Sequence, residues 1–192
     1  MTSRHLITTA LEDSWDVNSP VVFADDSACC LYDRKYIWEE MDSKTVPYHW
    51  NDKNKQEVDY KYLSKIYEDK LIEFTNHLNG IHGVSHSLRY WRIVFGPWLA
   101  YFIHILFDRW QTILQAKRLF SISNTIILDF DNSKITPTDM NDFLVKIKSD
   151  EWNHIVYGSI LETELTKDQI IYKLPRKKKN TCFEFKSLQI IK

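Results

Sequence analysis

His82, His86, Arg89 and Arg92 crowd the start of one apolar segment, HGVSHSLRYWRIVFGPWLAYFIHILFDRW, which runs from His82 to Trp110. Imidazoles accept and donate protons near neutral pH. Guanidinium groups present a planar fork of donors suited to carboxylate or phosphate. Ser87 is placed to cap a short helix through Phe95, and on that helix Arg89 and Arg92 share a face. The two histidines precede it in a connector, where unpaired backbone N–H groups also favour an anion. The four side chains are read as an anion or sugar site, with His86 as a catalytic candidate.

Three other clusters carry possible chemistry. In YHWND, His49 and Trp50 set a polar group beside a flat ring, an arrangement that can hold the face of a sugar. In IILDFDNS, an apolar strand ends in Asp129 and Asp131. Two carboxylates on one side suit a hard divalent cation, and the pattern resembles both the phosphatase motif of the haloacid dehalogenases and the Asp-x-Asp of metal-dependent glycosyltransferases. The competing reading is an acidic strand end in which Asp131 or Asn132 caps a turn. In SDEWNH, Glu151 and His154 lie three apart on a helix, and further metal ligands are not evident nearby. That pair is read as a solvated helix face.

These residues need elements to hold them. Arg4 to Ala10 and Pro20 to Ala24 read as strands, the second with proline at its permitted first position. Asp33 to Asp42 reads as a short helix and Thr45 to Trp50 as an extended piece. Lys53 to Asn79 forms a long helix, because Leu63, Tyr67, Leu71, Phe74 and Leu78 make one apolar stripe. Gly80 is its expected left-handed stop. Gly96 and Pro97 divide the opening segment into two helices, the second from Trp98 to about Leu119. Asn124 to Phe130 is a buried strand. Thr136-Pro137-Thr138-Asp139 should open a helix to about Lys148 as a capping box, Ser149 should start another, and Gln169 to Pro175 is a further strand. Strands alternating with helices predict an α/β fold with a mostly parallel sheet. Ligands in such folds bind beyond the carboxyl ends of strands. That rule marks Thr8 to Glu12, Pro47 to Trp50 and Asp129 to Asp131.

Composition narrows the class. A net charge of −1 argues against a nucleic-acid partner held by phosphate neutralisation. The dense basic run Arg176 to Lys179 opens a stretch, 176–192, that reads as a divergent basic tail after a single α/β lobe over 1–175. The segment around His104 cannot span a bilayer: Arg92 and Asp108 bound it, and a span needs about 20 apolar residues. Peripheral membrane contact is kept as a minor alternative. Three cysteines, two of them adjacent, fit no disulfide framework and suggest a reducing, cytoplasmic location. The first fifteen residues lack the apolar core of a signal peptide. No cofactor is assigned.

Together, LITTALEDSW, VPYHWND, the segment from Ile81 to Trp110, TIILDFD and SDEWNH resemble the N-terminal part of a spirochaete-type bacterial family of transferases. Its members occur in gene clusters for O-antigen and other surface polysaccharides. The resemblance covers about Leu6 to Gly158. It implies a Rossmann-like lobe, the N-terminal half of a two-lobed glycosyltransferase-like enzyme, with an activated sugar and a glycan acceptor as partners. In that setting His82, His86, Arg89 and Arg92 would form an anion or sugar site and His49 and Trp50 would line the acceptor cleft, while Thr8, Thr9 and Glu12 sit where the first strand meets its loop, with Glu12 a candidate base for an acceptor hydroxyl. Family members are longer, so the chain is expected to be a truncated lobe whose independent activity is in question. The alternatives are a metal-dependent enzyme built on Asp129 and Asp131, and a non-catalytic fragment.

Overall fold

The computed structural model describes residues 2–175, so the basic stretch 176–192 lies outside the described residues. Five strands form one sheet: β1 (Arg4–Ile7), β2 (Val21–Phe23), β3 (Ser43–Thr45), β4 (Ile122–Leu128) and β5 (Ile170–Lys173). All neighbours are parallel, in the order β3-β2-β1-β4-β5. The central strands are apolar runs whose Leu6, Ile7, Val21, Val22, Ile126 and Ile127 are buried, as a sheet covered on both faces requires. The α/β expectation is met.

The chain builds outward from β1 to β3, then crosses back to place β4 on the other side of β1. The crossover runs through three helices: α3 (Lys53–His82), α4 (Leu88–Val94) and α5 (Gly96–Leu119). The short α1 (Asp26–Cys29) and α2 (Lys35–Trp38) precede them, and α6 (Met140–Lys146) and α7 (Asp150–Glu164) join β4 to β5. On one face of the sheet, Ile113 and Ala116 of α5 and Tyr157 and Leu161 of α7 pack on Leu6, Val22 and Ile127. On the other, Ile7, Val21 and Phe23 are covered by Trp15, Cys29, Ile37 and Trp38. α7 approaches β4 closely at Gly158, where a Cβ would stand 3.3 Å from Ile127 Cγ2.

Local signals worked where a side chain reaches its own backbone. Ser87 caps α4 by accepting the Tyr90 N–H, and Ser149 caps α7 by accepting that of Trp152. Other boundaries moved. α3 continues past Gly80 and stops at Gly83, whose φ of 62° is left-handed. The reason lies in Asn79, whose amide bonds the His86 backbone at both N–H and C=O and accepts the Trp91 indole N–H. Those bonds fix the turn three residues later than expected. The expected helix at 33–42 is a 3-10 turn, Tyr32–Arg34, followed by the brief α2. The expected opening at Pro137 also shifts: Asp139 caps α6 through the Asp142 N–H, so the helix starts at Met140.

Valine at Gly158 would push γ-methyls into Ile127. Overpacking of this kind costs about 2 kcal/mol. Gly158→Val should therefore lower the urea midpoint clearly, with Gly158→Ala much closer to the parent; equal midpoints for all three would show that α7 and β4 are not in this contact.

Candidate functional site

The reversal of strand order lies between β1 and β4, and a cleft opens at the carboxyl ends there. Thr8 and Thr9 follow β1 and are 4% and 2% exposed. Ala24 and Asp25 follow β2, and Asp25 caps α1 by accepting from the Ser27 N–H at 2.8 Å and the Ser27 hydroxyl at 2.7 Å. Val46, Pro47 and Tyr48 follow β3 and lead into the 3-10 turn His49–Asn51. α5 brings Asp108, Arg109 and Thr112 over this edge, and α7 brings Asn153 and Tyr157. The hollow beside β2 and β3 measures about 690 Å3, and an inner one beside Thr8 and Thr9 about 340 Å3. They share Asp25, Ser27, Arg109 and Tyr157, so they form one cleft. A third hollow of about 510 Å3 adjoins it at Tyr48 and Asn51 and extends along Gln111, Gln115 and Arg118.

Asp108 organises the middle of the cleft. A carboxylate can only accept, so His49 Nε2–H donates to Asp108 Oδ1 at 3.1 Å, while Arg109 pairs with Oδ2. Arg109 also donates from Nε and Nη2 to Asn153 Oδ1, both at 3.1 Å. Asn153 is held in turn through its Nδ2–H groups on the Ile147 and Ser149 carbonyls, at 2.8 and 2.9 Å. The guanidinium is thus fixed from both sides and lies over the Tyr157 ring, 5.7 Å from its centroid. Burial raises the Asp108 carboxyl, but the His49 bond and the Arg109 charge outweigh it and hold it below the usual carboxylate range. Burial, with the Asp108 charge next, pushes the nearby Tyr48 phenol up to about 12. His49 is 4% exposed, and its Nδ1 has no hydrogen-bond partner among the described residues.

His154 closes the inner end. Its Nε2 accepts the Leu128 N–H at 2.9 Å, and its Nδ1 lies 3.2 Å from Thr9 Oγ1. Burial lowers its pKa to about 4, so the ring is neutral. With Nε2 occupied as an acceptor, Nδ1 carries the proton and donates to Thr9. The pairing of Glu151 and His154 as a solvated face therefore fails for His154, which is 2% exposed and bolts α7 to the ends of β1 and β4. Trp152 and Val156 on the same helix are apolar and buried, and they placed the stripe one step away from the histidine.

The structure divides the candidate residues between two places. Thr8, Thr9 and His49 come to the cleft. Trp50 is beside it, but its ring stacks on Tyr60 and Phe107 and its N–H donates to Asp59, so its faces are occupied. Glu12 sits in a 3-10 turn after β1, with both oxygens on Arg34 at 2.5 and 2.6 Å. His82, His86, Arg89 and Arg92 stand at the far end of the α3–α5 hairpin. Tyr60 marks the cleft end of α3, and the helix from there to His82 is about 33 Å long at 1.5 Å per residue. At that end His82 stacks on Trp91 and His86 on Tyr90, while the Arg92 side chain reaches back toward the middle of α3 and forks onto Glu68 at 2.6 Å twice. Asp131 caps a turn by accepting the Ser133 N–H, and among the described residues no three metal-ligating side chains come together. Asp108, Arg109, Asn153 and Tyr157 escaped the sequence reading. Their one visible signal is the adjacent charge pair in FDRW, an interruption of an otherwise apolar helix.

A parallel sheet in this order, helices on both faces and a polar cleft at the reversal define a doubly wound α/β protein, and the cleft lies at its switch point, where ligands of such folds bind. The chain belongs to the LIC12162 family of transferases, whose family model matches residues 4–191. That result bears out the resemblance to a spirochaete-type transferase family and runs beyond Gly158. No curated protein and no solved structure matches the chain. Among the described residues no helix is long and apolar enough to cross a membrane.

Two outcomes test the geometry. Between pH 6.5 and about 4 the unfolded chain binds a proton at His154 that the folded chain refuses. Stability should fall as pH drops through that window, by up to about 1.4 kcal/mol per pH unit. Thermal unfolding of His154→Gln from pH 7 to 4.5 should show a flatter dependence than the parent, and parallel curves would refute the assignment. Asp108→Ala strands the Arg109 charge and should cost about 3 kcal/mol in chemical unfolding. Asp108→Asn, which keeps an acceptor for His49, should cost less.

Proposed function

We propose that the protein is a glycosyltransferase-like transferase of bacterial surface-polysaccharide assembly, and that the cleft at the carboxyl edge of the sheet receives one of its sugar substrates. Membership of a transferase family supports the reaction class. The observation that carries the site is the guanidinium of Arg109, held by Asp108 and Asn153 between two connected polar hollows. A preorganised donor of this kind orients a substrate without reordering when it binds. Glycosyl transfer moves an anomeric carbon from a leaving group to an acceptor hydroxyl, and some group must take the hydroxyl proton. His49 is not placed to be that group: Asp108 holds its Nε2–H and its Nδ1 is buried, so it orients Asp108 beside the cleft. Glu12 and His86 are the candidate bases, each away from the Arg109 network.

The chain is further read as one lobe that works with a second, nucleotide-binding body. Support comes from an apolar hollow between α3 and α5, lined by Leu63, Phe74, Phe102, Leu106 and Trp110, which suits packing against another folded body. The lobe alone would then bind a sugar without turning it over.

Titrating nucleotide sugars and surface-glycan fragments against the labelled chain by NMR tests both places at once. Shifts at Thr8, Thr9 and Asn153 are expected, with binding at least tenfold weaker in Arg109→Ala and unchanged in Arg89→Ala/Arg92→Ala. Loss in the double variant alone would move the site to the far end of the hairpin. Absence of any response would remove the sugar-substrate reading.

A further inference from the structure

The inner hollow has a hydrogen-bonding character that narrows its ligand. Because His154 donates to Thr9 Oγ1, the hydrogen of the Thr9 hydroxyl is left to point elsewhere, and Thr9 lines the hollow. Thr8 lines it as well and is 4% exposed, with no side-chain hydrogen bond among the described residues. The Tyr157 hydroxyl is in the same position: the residue is 5% exposed, lines both hollows and has no hydrogen-bond partner among the described residues. Burial raises the Tyr157 phenol, which keeps its proton for donation. All three side chains line the hollow, and their hydroxyl hydrogens are available to a ligand that supplies an acceptor.

The charges say which ligand. Asp25, Asp26, Asp108 and Asp150 line the two hollows, against Arg109 and Lys148. The Arg109 charge is already engaged by Asp108. The amino end of α7 faces the inner hollow, but Asp150 and Glu151 occupy its first turn and meet its positive end themselves. A phosphate would meet repulsion here. A sugar hydroxyl both donates and accepts, so it can take hydrogens from Thr8, Thr9 and Tyr157 while giving its own to a carboxylate. The hollow of about 340 Å3 is of small-ligand size.

We propose that the inner end of the cleft, between Thr8, Thr9 and Tyr157, is a subsite for an uncharged sugar ring, and that the phosphate-bearing part of any donor stays out of it. This rests on the sugar-transferase reading above and adds which part of which substrate the site takes. The test is an NMR titration of the full chain with a panel of neutral methyl hexosides and, separately, with inorganic pyrophosphate. At least one hexoside should shift the Thr8 and Thr9 amides, and pyrophosphate should not. Affinity for that hexoside should fall about fivefold in Tyr157→Phe and in Thr8→Val, each of which removes one hydrogen bond and keeps the shape. Pyrophosphate shifting these amides at lower concentration than any hexoside would overturn the subsite. So would hexoside shifts confined to Gln111 and Gln115, although the transferase reading would then stand. Silence from every hexoside at every residue would end both.

Discussion

The ends of β1 and β4 part company at the point where the sheet reverses its order, and one neutral imidazole bridges them. His154 takes the Leu128 N–H, a backbone donor at the last position of β4, and gives its own proton to Thr9. An apolar side chain there would leave that amide buried and unpaired, at a cost of about 1–3 kcal/mol. A charged one would need a counter-ion that the site lacks. The contact also sets the roll of α7 about its axis, and α7 presents Asn153 and Tyr157 to the cleft from the same helix. The cleft at the sheet edge is therefore built on a contact in the core.

Around that bolt the cleft is rigid in its middle and open at its inner end. Asp108 and Asn153 share the Arg109 guanidinium, and His49 shares Asp108. Every bond in this chain of groups is charge-assisted or made to a backbone carbonyl, so the geometry is set before a ligand arrives. The hydroxyls of Thr8 and Tyr157 lack such partners among the described residues. Rigid support beneath unsatisfied donors is the arrangement expected of a binding site, since the scaffold rather than the ligand bears the ordering cost.

The long hairpin of α3 and α5 carries the other candidate cluster. Histidines and arginines in an apolar segment read as a site, yet at its tip the rings stack on one another, and nearer the middle of α3 Arg92 pairs with Glu68. Aromatic stacking and an exposed ion pair account for those residues structurally, and they lie far along the hairpin from the cleft. The charge pair in the same segment that meets the cleft, Asp108 with Arg109, sits where α5 passes over the ends of the strands.

What the sequence determined by itself is what neighbouring residues decide among themselves. The caps at Ser87 and Ser149, the division at Gly96 and Pro97, and the buried strand before Asp129 were all legible, because each depends on periodicity or on a bond spanning about three residues. The α/β class followed from the alternation of those elements, and the transferase family from the resemblance of five sequence segments to its members. The stop at Gly83 was not legible, since two glycines qualified and a bond from Asn79 to a residue beyond the turn chose between them. Nor was the cleft. Its bonds join residues 44, 59 and 145 positions apart, Arg109 to Asn153, Asp108 to His49 and Thr9 to His154. Nothing local distinguishes those side chains from solvated ones, and only the sheet order, by bringing the ends of β1 and β4 under α5 and α7, made them neighbours.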